Sequence, residues 1–131
     1  MSLIPQALKY TSSHEWVRLE EDGTVAVGIT DHAQHALGDI VFVQLPEAGE
    51  SYPAKADCAV VESVKSASDL YCPVGGRVIA VNERLASQPE LVNQEPYGAG
   101  WMFRLTPDNA SEMERLLEAD EYAALVGAES N

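Results

Sequence analysis

Val60-Val61-Glu62-Ser63-Val64-Lys65-Ser66-Ala67-Ser68-Asp69-Leu70-Tyr71-Cys72-Pro73 reads as two β-prone arms meeting at a small polar turn. Residues 59–64 climb to the lysine, and residues 70–72 descend from the turn, so the stretch predicts a hairpin with Lys65 at its tip. That geometry fixes the attachment point of a side-chain amine while leaving the amine within reach of a modifying enzyme. A solvated turn lysine with no further role is the plainer reading. Three features weigh against it. Lys65 is the only basic residue between Lys55 and Arg77, and its neighbours Ser63, Ser66, Ala67 and Ser68 are small enough to leave the amine open. Glu62 and Asp69 flank the turn as marks by which an attaching enzyme would recognise it.

Outward from the hairpin, short strands continue in both directions. Residues 14–20 and 24–29 read as a hairpin closed by Glu21-Asp22-Gly23. Thr30-Asp31 offers a helix N-cap, residues 32–37 a short helix, and Gly38 its end. Residues 39–45 form another strand before Pro46, and Ser51-Tyr52-Pro53 reads as an edge piece because a proline cannot donate to a ladder. Gly75-Gly76 turns the chain into a strand over 77–82, and residues 100–105 add one more. After Pro107 the apolar spacing changes to three and four, predicting one or two amphipathic helices over 111–117 and 121–126. Many short strands closed by helices predict a β-sandwich or flattened barrel with a helical cap.

The chain's 131 residues make a single domain, with a core over about 8–106 and a helical cap over about 108–127. Hydrophobic residues at 46% support a folded globule, and no apolar run approaches the ~20 residues of a membrane span. A formal net charge of −13 makes nucleic acid an unsuitable partner and favours basic docking surfaces on larger proteins. Met1-Ser2-Leu3-Ile4-Pro5 lacks the pattern of a signal or transit peptide, so a bacterial cytoplasm, or an already processed organelle form, is the expected location. Cys58 and Cys72 lie seven residues either side of Lys65, near enough across the hairpin for a reversible disulfide, although two buried thiols are the expectation in a reducing compartment.

A distributed series of motifs accompanies the hairpin. It comprises Leu8-Lys9-Tyr10, His14-Glu15-Trp16, Val27-Gly28-Ile29-Thr30-Asp31-His32-Ala33-Gln34, and Leu37-Gly38-Asp39-Ile40-Val41-Phe42-Val43. Leu45-Pro46, Gly49, the lysine hairpin itself, Pro73, Gly76, Val81-Asn82, Pro89-Glu90-Leu91-Val92-Asn93, Pro96-Tyr97 and Gly100-Trp101 follow in order. Over residues 8–125 this series resembles the H proteins of the glycine cleavage system. The resemblance implies a mainly β, lipoyl/biotinyl-domain-like β-sandwich (a barrel-sandwich hybrid) with a short internal helix and C-terminal helices. It implies lipoic acid in amide linkage to Lys65, and a monomeric carrier with no catalytic turnover of its own.

In that family the lipoyl arm takes the aminomethyl group from a pyridoxal-phosphate glycine decarboxylase and delivers it to a tetrahydrofolate-dependent aminomethyltransferase. A dihydrolipoyl dehydrogenase then reoxidises it, and a lipoate-attaching enzyme installs it. Residues matching the family's arm cleft are Ser13, Glu15, His32 and Asp69. A carboxylate there would hold the arm's ammonium by a charge-assisted hydrogen bond. The alternative within the family is an H-like protein that relays lipoyl groups to other lipoate-dependent enzymes.

Cys72, Gly75 and the Pro53-Ala54-Lys55-Ala56 turn depart from the usual pattern without touching the attachment motif. Rival classes fit less well. Biotin carriers usually flank their lysine with methionine, and 2-oxo acid dehydrogenase lipoyl domains carry Asp-Lys-Ala, where this chain has Val64-Lys65-Ser66. A Schiff-base lysine normally needs burial or a cationic neighbour, neither of which is expected here. His32 and His35 with His14 are the sole histidines for a zinc reading, and no spacing forces His14 towards the other two, so no metal is expected.

Overall fold

A computed structural model describes residues 3–130. Among these residues, nine strands form two antiparallel sheets. They are β1 (Lys9–Tyr10), β2 (Glu15–Leu19), β3 (Val25–Ile29), β4 (Ile40–Gln44), β5 (Ser51–Tyr52), β6 (Asp57–Ser63), β7 (Ala67–Tyr71), β8 (Gly76–Val81) and β9 (Phe103–Pro107). The larger sheet runs β1-β2-β3-β9-β8-β5, and the smaller runs β4-β6-β7. Short helices α1 (Asp31–Leu37), α2 (Arg84–Ser87) and α3 (Leu91–Gln94) interrupt the strands; a 3₁₀ helix (Ala110–Arg115) and α4 (Ala119–Ser130) close the chain. The molecule is the mainly β two-sheet sandwich with helices that its motifs imply.

The two sheets enclose one core that includes Val27, Val43, Val61, Leu70, Val78 and Phe103. A second cluster lies on the far side of the large sheet, where Tyr10, Trp16 and Ala26 pack beneath Ala119 and Tyr122 of α4. The Tyr10 and Tyr122 rings stack with centroids 4.6 Å apart, and the Trp16 indole N–H donates to the Pro96 carbonyl at 2.8 Å. This second cluster explains why β3 is apolar on both faces. Val25, Val27 and Ile29 face the main core while Ala26 turns to the aromatic cluster, so all five residues of β3 are buried. Gly28 takes no side chain because a Cβ there would come within 2.8 Å of the Trp16 ring.

Most elements fall where the sequence places them, with informative shifts. Thr30 caps α1 by accepting the Ala33 N–H at 3.2 Å, and Gly38 ends the helix at φ 85°. Ser51–Tyr52 is an edge strand, paired only with β8. The stretch over 111–117 is not an α-helix: it forms a 3₁₀ turn, and Leu117 instead exchanges two backbone hydrogen bonds with Tyr10, at 2.9 and 2.7 Å. Bridging to β1 satisfies Leu117's backbone groups and buries Tyr10, which a continued helix would not. The last strand begins at Phe103 rather than at residue 100, because Gly100 and Trp101 complete the turns that follow α3.

Candidate functional site

β6 and β7 pair antiparallel with Glu62 opposite Ala67 and Val60 opposite Asp69, leaving a two-residue turn at Val64 and Lys65. Two-residue turns usually need left-handed residues, and neither Val64 nor Lys65 has positive φ. A serine hydroxyl does the work instead. Ser63 Oγ accepts the N–H of Lys65 at 3.2 Å and of Ser66 at 3.1 Å, while the Ser63 N–H donates to the Ser66 carbonyl at 2.7 Å. The tip is also tied sideways, because the Val64 N–H donates to the Asp39 carbonyl at 3.0 Å just before β4.

Lys65 is exposed, and among the described residues its amine makes no hydrogen bond or ion pair. Its aliphatic stem leans on Gly38, where a Cβ would stand 3.3 Å from Lys65 Cε. The α1–β4 corner under the stem is held by Asn93 of α3. That side chain donates to the Gly38 carbonyl and to Gln34 Oε1, each at 2.9 Å, and accepts the Ile40 N–H at 2.8 Å.

A pocket of about 120 Å³ opens between α1 and β7. Ser13, Glu15 and Asp69 line it, with Ala33, Ala36 and Leu37 forming its apolar wall. Glu15 is the chemically distinctive member, being only 1% exposed. Its Oε1 accepts hydrogen bonds from the hydroxyls of Thr11 and Ser13, both at 2.6 Å, and its Oε2 accepts the Tyr71 N–H at 3.3 Å. Burial pushes the Glu15 carboxyl above its ordinary value, and the hydrogen bonds from Ser13, Thr11 and Tyr71 pull only partly back. Glu15 and Ser13 also border a larger pocket of about 570 Å³ that runs under Leu116 and Leu117 towards Cys72 and Lys55.

His32 does not line either pocket; its ring lies against His14, with centroids 4.8 Å apart. His14 is the histidine that borders the smaller pocket, and its left-handed backbone, φ 72°, lets Ser13, His14 and Glu15 face it together. The His14 Nδ1 and the Thr30 hydroxyl each lie 2.7 Å from the Tyr122 hydroxyl, so α4 braces both the pocket rim and the cap of α1. Glu62 and Asp69 are exposed on adjacent strands; of these two, Asp69 lines the smaller pocket, together with its neighbours Ser68 and Leu70. Thr11, His14, Asn93 and Tyr122 take part in the site although sequence reasoning assigned them no role there. Thr11 meets Glu15 within its own turn, whereas Asn93 and Tyr122 reach the site through long-range packing that no local pattern marks.

Cys58 and Cys72 are both free thiols. Cys58 sits at the irregularity between Asp57 and Ala59, so it meets Cys72 diagonally rather than directly across. The neighbouring Cys72 side chain and partial burial push the Cys58 thiol upward, which disfavours its reactive thiolate. Among the described residues no group of three His, Cys, Asp or Glu is arranged to hold a metal ion; His35 instead lies 3.7 Å from Asp31 on the same helix.

A two-sheet sandwich that projects one lysine on a braced hairpin, with a carboxyl-lined pocket beside it, defines the class in which relatives are found. The glycine cleavage H-protein family matches residues 8–129. A glycine cleavage system H protein of Psychrobacter sp. is 60% identical over 124 residues, covering 95% of this chain and 98% of that protein. The corresponding protein of Shewanella loihica is 59% identical over 129 residues, covering 98% and 100%. A crystal structure of a glycine cleavage system H protein from Mycobacterium marinum superposes with a TM-score of 0.87 at 44% identity, covering 95% of this chain and 99% of that one. The chain belongs to the glycine cleavage H-protein family.

Proposed function

We propose that this chain is the lipoyl carrier of a glycine cleavage system, with lipoic acid in amide linkage to Lys65 Nζ. The observation that carries the reading is the display of Lys65: an exposed amine on a turn rigidified by Ser63 and by the Val64–Asp39 hydrogen bond. The site suits such a group. Gly38 leaves room for the lysine stem, and a pocket bordered by Ser13, Glu15 and Asp69 lies between α1 and the descending arm of the same hairpin. Lipoate would supply a dithiolane that accepts an aminomethyl group and is afterwards returned to its disulfide.

The protein's own residues supply attachment and shelter. Glu15, raised by burial and fed by the Thr11 and Ser13 hydroxyls, would accept a hydrogen bond from the carried amine, and Asp69 at the pocket mouth would add a second carboxylate. The walls of Ala33, Ala36 and Leu37 would keep water from it. Such a chain turns over no substrate of its own. It serves in turn a glycine decarboxylase, an aminomethyltransferase and a dihydrolipoyl dehydrogenase, and tethering replaces free diffusion between their active sites.

The test is intact and peptide mass spectrometry after incubation with a lipoate ligase, lipoate and ATP. One lipoyl group on the peptide containing Lys65, with the net charge of −13 made one unit more negative, is the expected result. An unmodified chain beside a control lipoyl domain labelled in the same tube refutes the carrier reading.

A further inference from the structure

One hydroxyl is shared by two walls of the smaller pocket. Tyr122 of α4 is fully buried, and its ring is stacked on Tyr10 with centroids 4.6 Å apart. Its oxygen lies 2.7 Å from His14 Nδ1 and 2.7 Å from Thr30 Oγ1. His14 stands between Ser13 and Glu15, and all three line the pocket. Thr30 caps α1, whose Ala33, Ala36 and Leu37 form the apolar wall. The backbone ties the same two points, because the Thr30 N–H donates to the His14 carbonyl at 3.0 Å. His14 also holds φ 72°, a region that a residue with a Cβ seldom occupies and keeps only where its surroundings impose it. The Tyr122 hydroxyl is one of those constraints. Without it His14 can relax towards negative φ, and that rotation would turn Ser13 and Glu15, on either side of it, away from their present aim.

We propose that Tyr122 is a positioning residue for the carried amine: its hydroxyl holds the Ser13–Glu15 rim and the start of α1 at the spacing that closes the pocket to water. The proposal rests on the carrier reading above and deepens it, since it gives the C-terminal helix a part in keeping the loaded arm intact. Tyr122 does not line the pocket, so it acts through His14 and Thr30. A comparison inside the same aromatic cluster separates this part from plain stability. Tyr10 is equally buried and stacks on the same ring, but its hydroxyl donates to the Pro5 carbonyl at 2.6 Å instead. Removing either hydroxyl deletes a hydrogen-bonding group from the cluster and lowers stability. Only the deletion at Tyr122 releases His14 and the cap of α1.

The experiment compares Tyr122→Phe with Tyr10→Phe in the full chain. Circular dichroism and thermal melting establish that each is folded, and Thr30→Val, which breaks the same bridge from its other end, stands in should Tyr122→Phe not fold. In the unmodified chain the Glu15 carboxyl is titrated by carbon NMR, with His14 and Asp69 of the same pocket and His32 beside His14 followed in the same samples. Lys55, Glu112 and Arg115 on the larger pocket are common to every variant. Burial holds Glu15 above its ordinary value, so a rim that admits water should bring its midpoint down in Tyr122→Phe and leave it in place in Tyr10→Phe. Each chain is then lipoylated with lipoate ligase, lipoate and ATP, loaded by glycine decarboxylase with glycine, and freed of both. With no aminomethyltransferase present the carried group leaves to water: one water is consumed, the carbon–sulfur bond breaks, and ammonium, formaldehyde and the thiol are released. Ammonium should appear about fivefold faster from Tyr122→Phe than from wild type, the worth of one lost hydrogen bond, and at the wild-type rate from Tyr10→Phe. A Glu15 midpoint unmoved by Tyr122→Phe, or moved equally by Tyr10→Phe, overturns the proposal. So does ammonium release from Tyr122→Phe within about twofold of wild type. A wild-type chain that takes no lipoate removes the carrier reading and the carried amine with it, an outcome distinct from a loaded chain indifferent to Tyr122.

Discussion

β3 and β7 are both five-residue antiparallel strands, yet every residue of β3 is buried while β7 buries only Leu70. The first is clamped between the main core and the aromatic cluster under α4, so it has no face to offer. The second is an edge strand fastened by one apolar anchor and by backbone pairing to β6. The contrast separates two tasks. β3 is held by packing on both faces, whereas β7 spends little of its surface on the core, so that the lysine tip and the pocket mouth stay accessible.

The sharpest way to separate the two tasks is Lys65→Arg. It should accept no lipoate by mass spectrometry and support no glycine cleavage, yet melt at the wild-type temperature, since the side chain only rests on Gly38. Residual labelling of that variant would refute Lys65 as the attachment point. Leu70→Ala tests the single anchor: it should cost about 2–5 kcal/mol in urea unfolding and slow lipoylation by loosening the hairpin. If Leu70→Ala costs no more than a surface change, β7 is held by its hydrogen bonds alone.

Gly28→Ala probes the opposite strand. A Cβ there meets the Trp16 ring at 2.8 Å, so the variant should lose about 1–3 kcal/mol, whereas Ser68→Ala on β7 should stay within about 0.5 kcal/mol of wild type. Equal losses from the two would erase the distinction between clamped and displayed strands.

The smallest effect expected is that of Glu15→Gln on the pH dependence of stability. Folding raises the Glu15 carboxyl above its ordinary value of 4.5, so folding favours the protonated form. That contribution is complete in acid and is lost as pH rises through the raised value. Glu15→Gln should therefore be somewhat more stable than wild type at pH 7, with the gap closing below the ordinary carboxylate range, as read from urea midpoints across pH. A variant less stable at pH 7 would mean that the Thr11, Ser13 and Tyr71 donors outweigh the burial.

The lysine hairpin, the β2–β3 hairpin, α1 with its Thr30 cap and Gly38 end, and the edge character of Ser51–Tyr52 were all legible in the chain. Each depends on contacts within a few residues: alternation, a capping hydroxyl, a glycine at positive φ, a proline without a donor. The placement of Ser13, Glu15 and Asp69 around one pocket was accessible only through likeness to a family, because Asp69 lies more than fifty positions from the other two and meets them through tertiary packing. Local period misjudged residues 111–117, where the pull of a backbone bridge to Tyr10 outweighed helical spacing.

Three features needed the tertiary structure. These are the bracing of His14 and Thr30 by Tyr122, the Asn93 clamp beneath Lys65, and the diagonal meeting of Cys58 and Cys72. The alternation of β4 and β6 shows which residues share a face, but only the assembled sandwich shows which face is covered. Composition and spacing record what a side chain is and which neighbours in sequence it faces. Burial and long-range hydrogen bonds arise from how distant segments close on one another, and that closure determined which of the candidate residues work together.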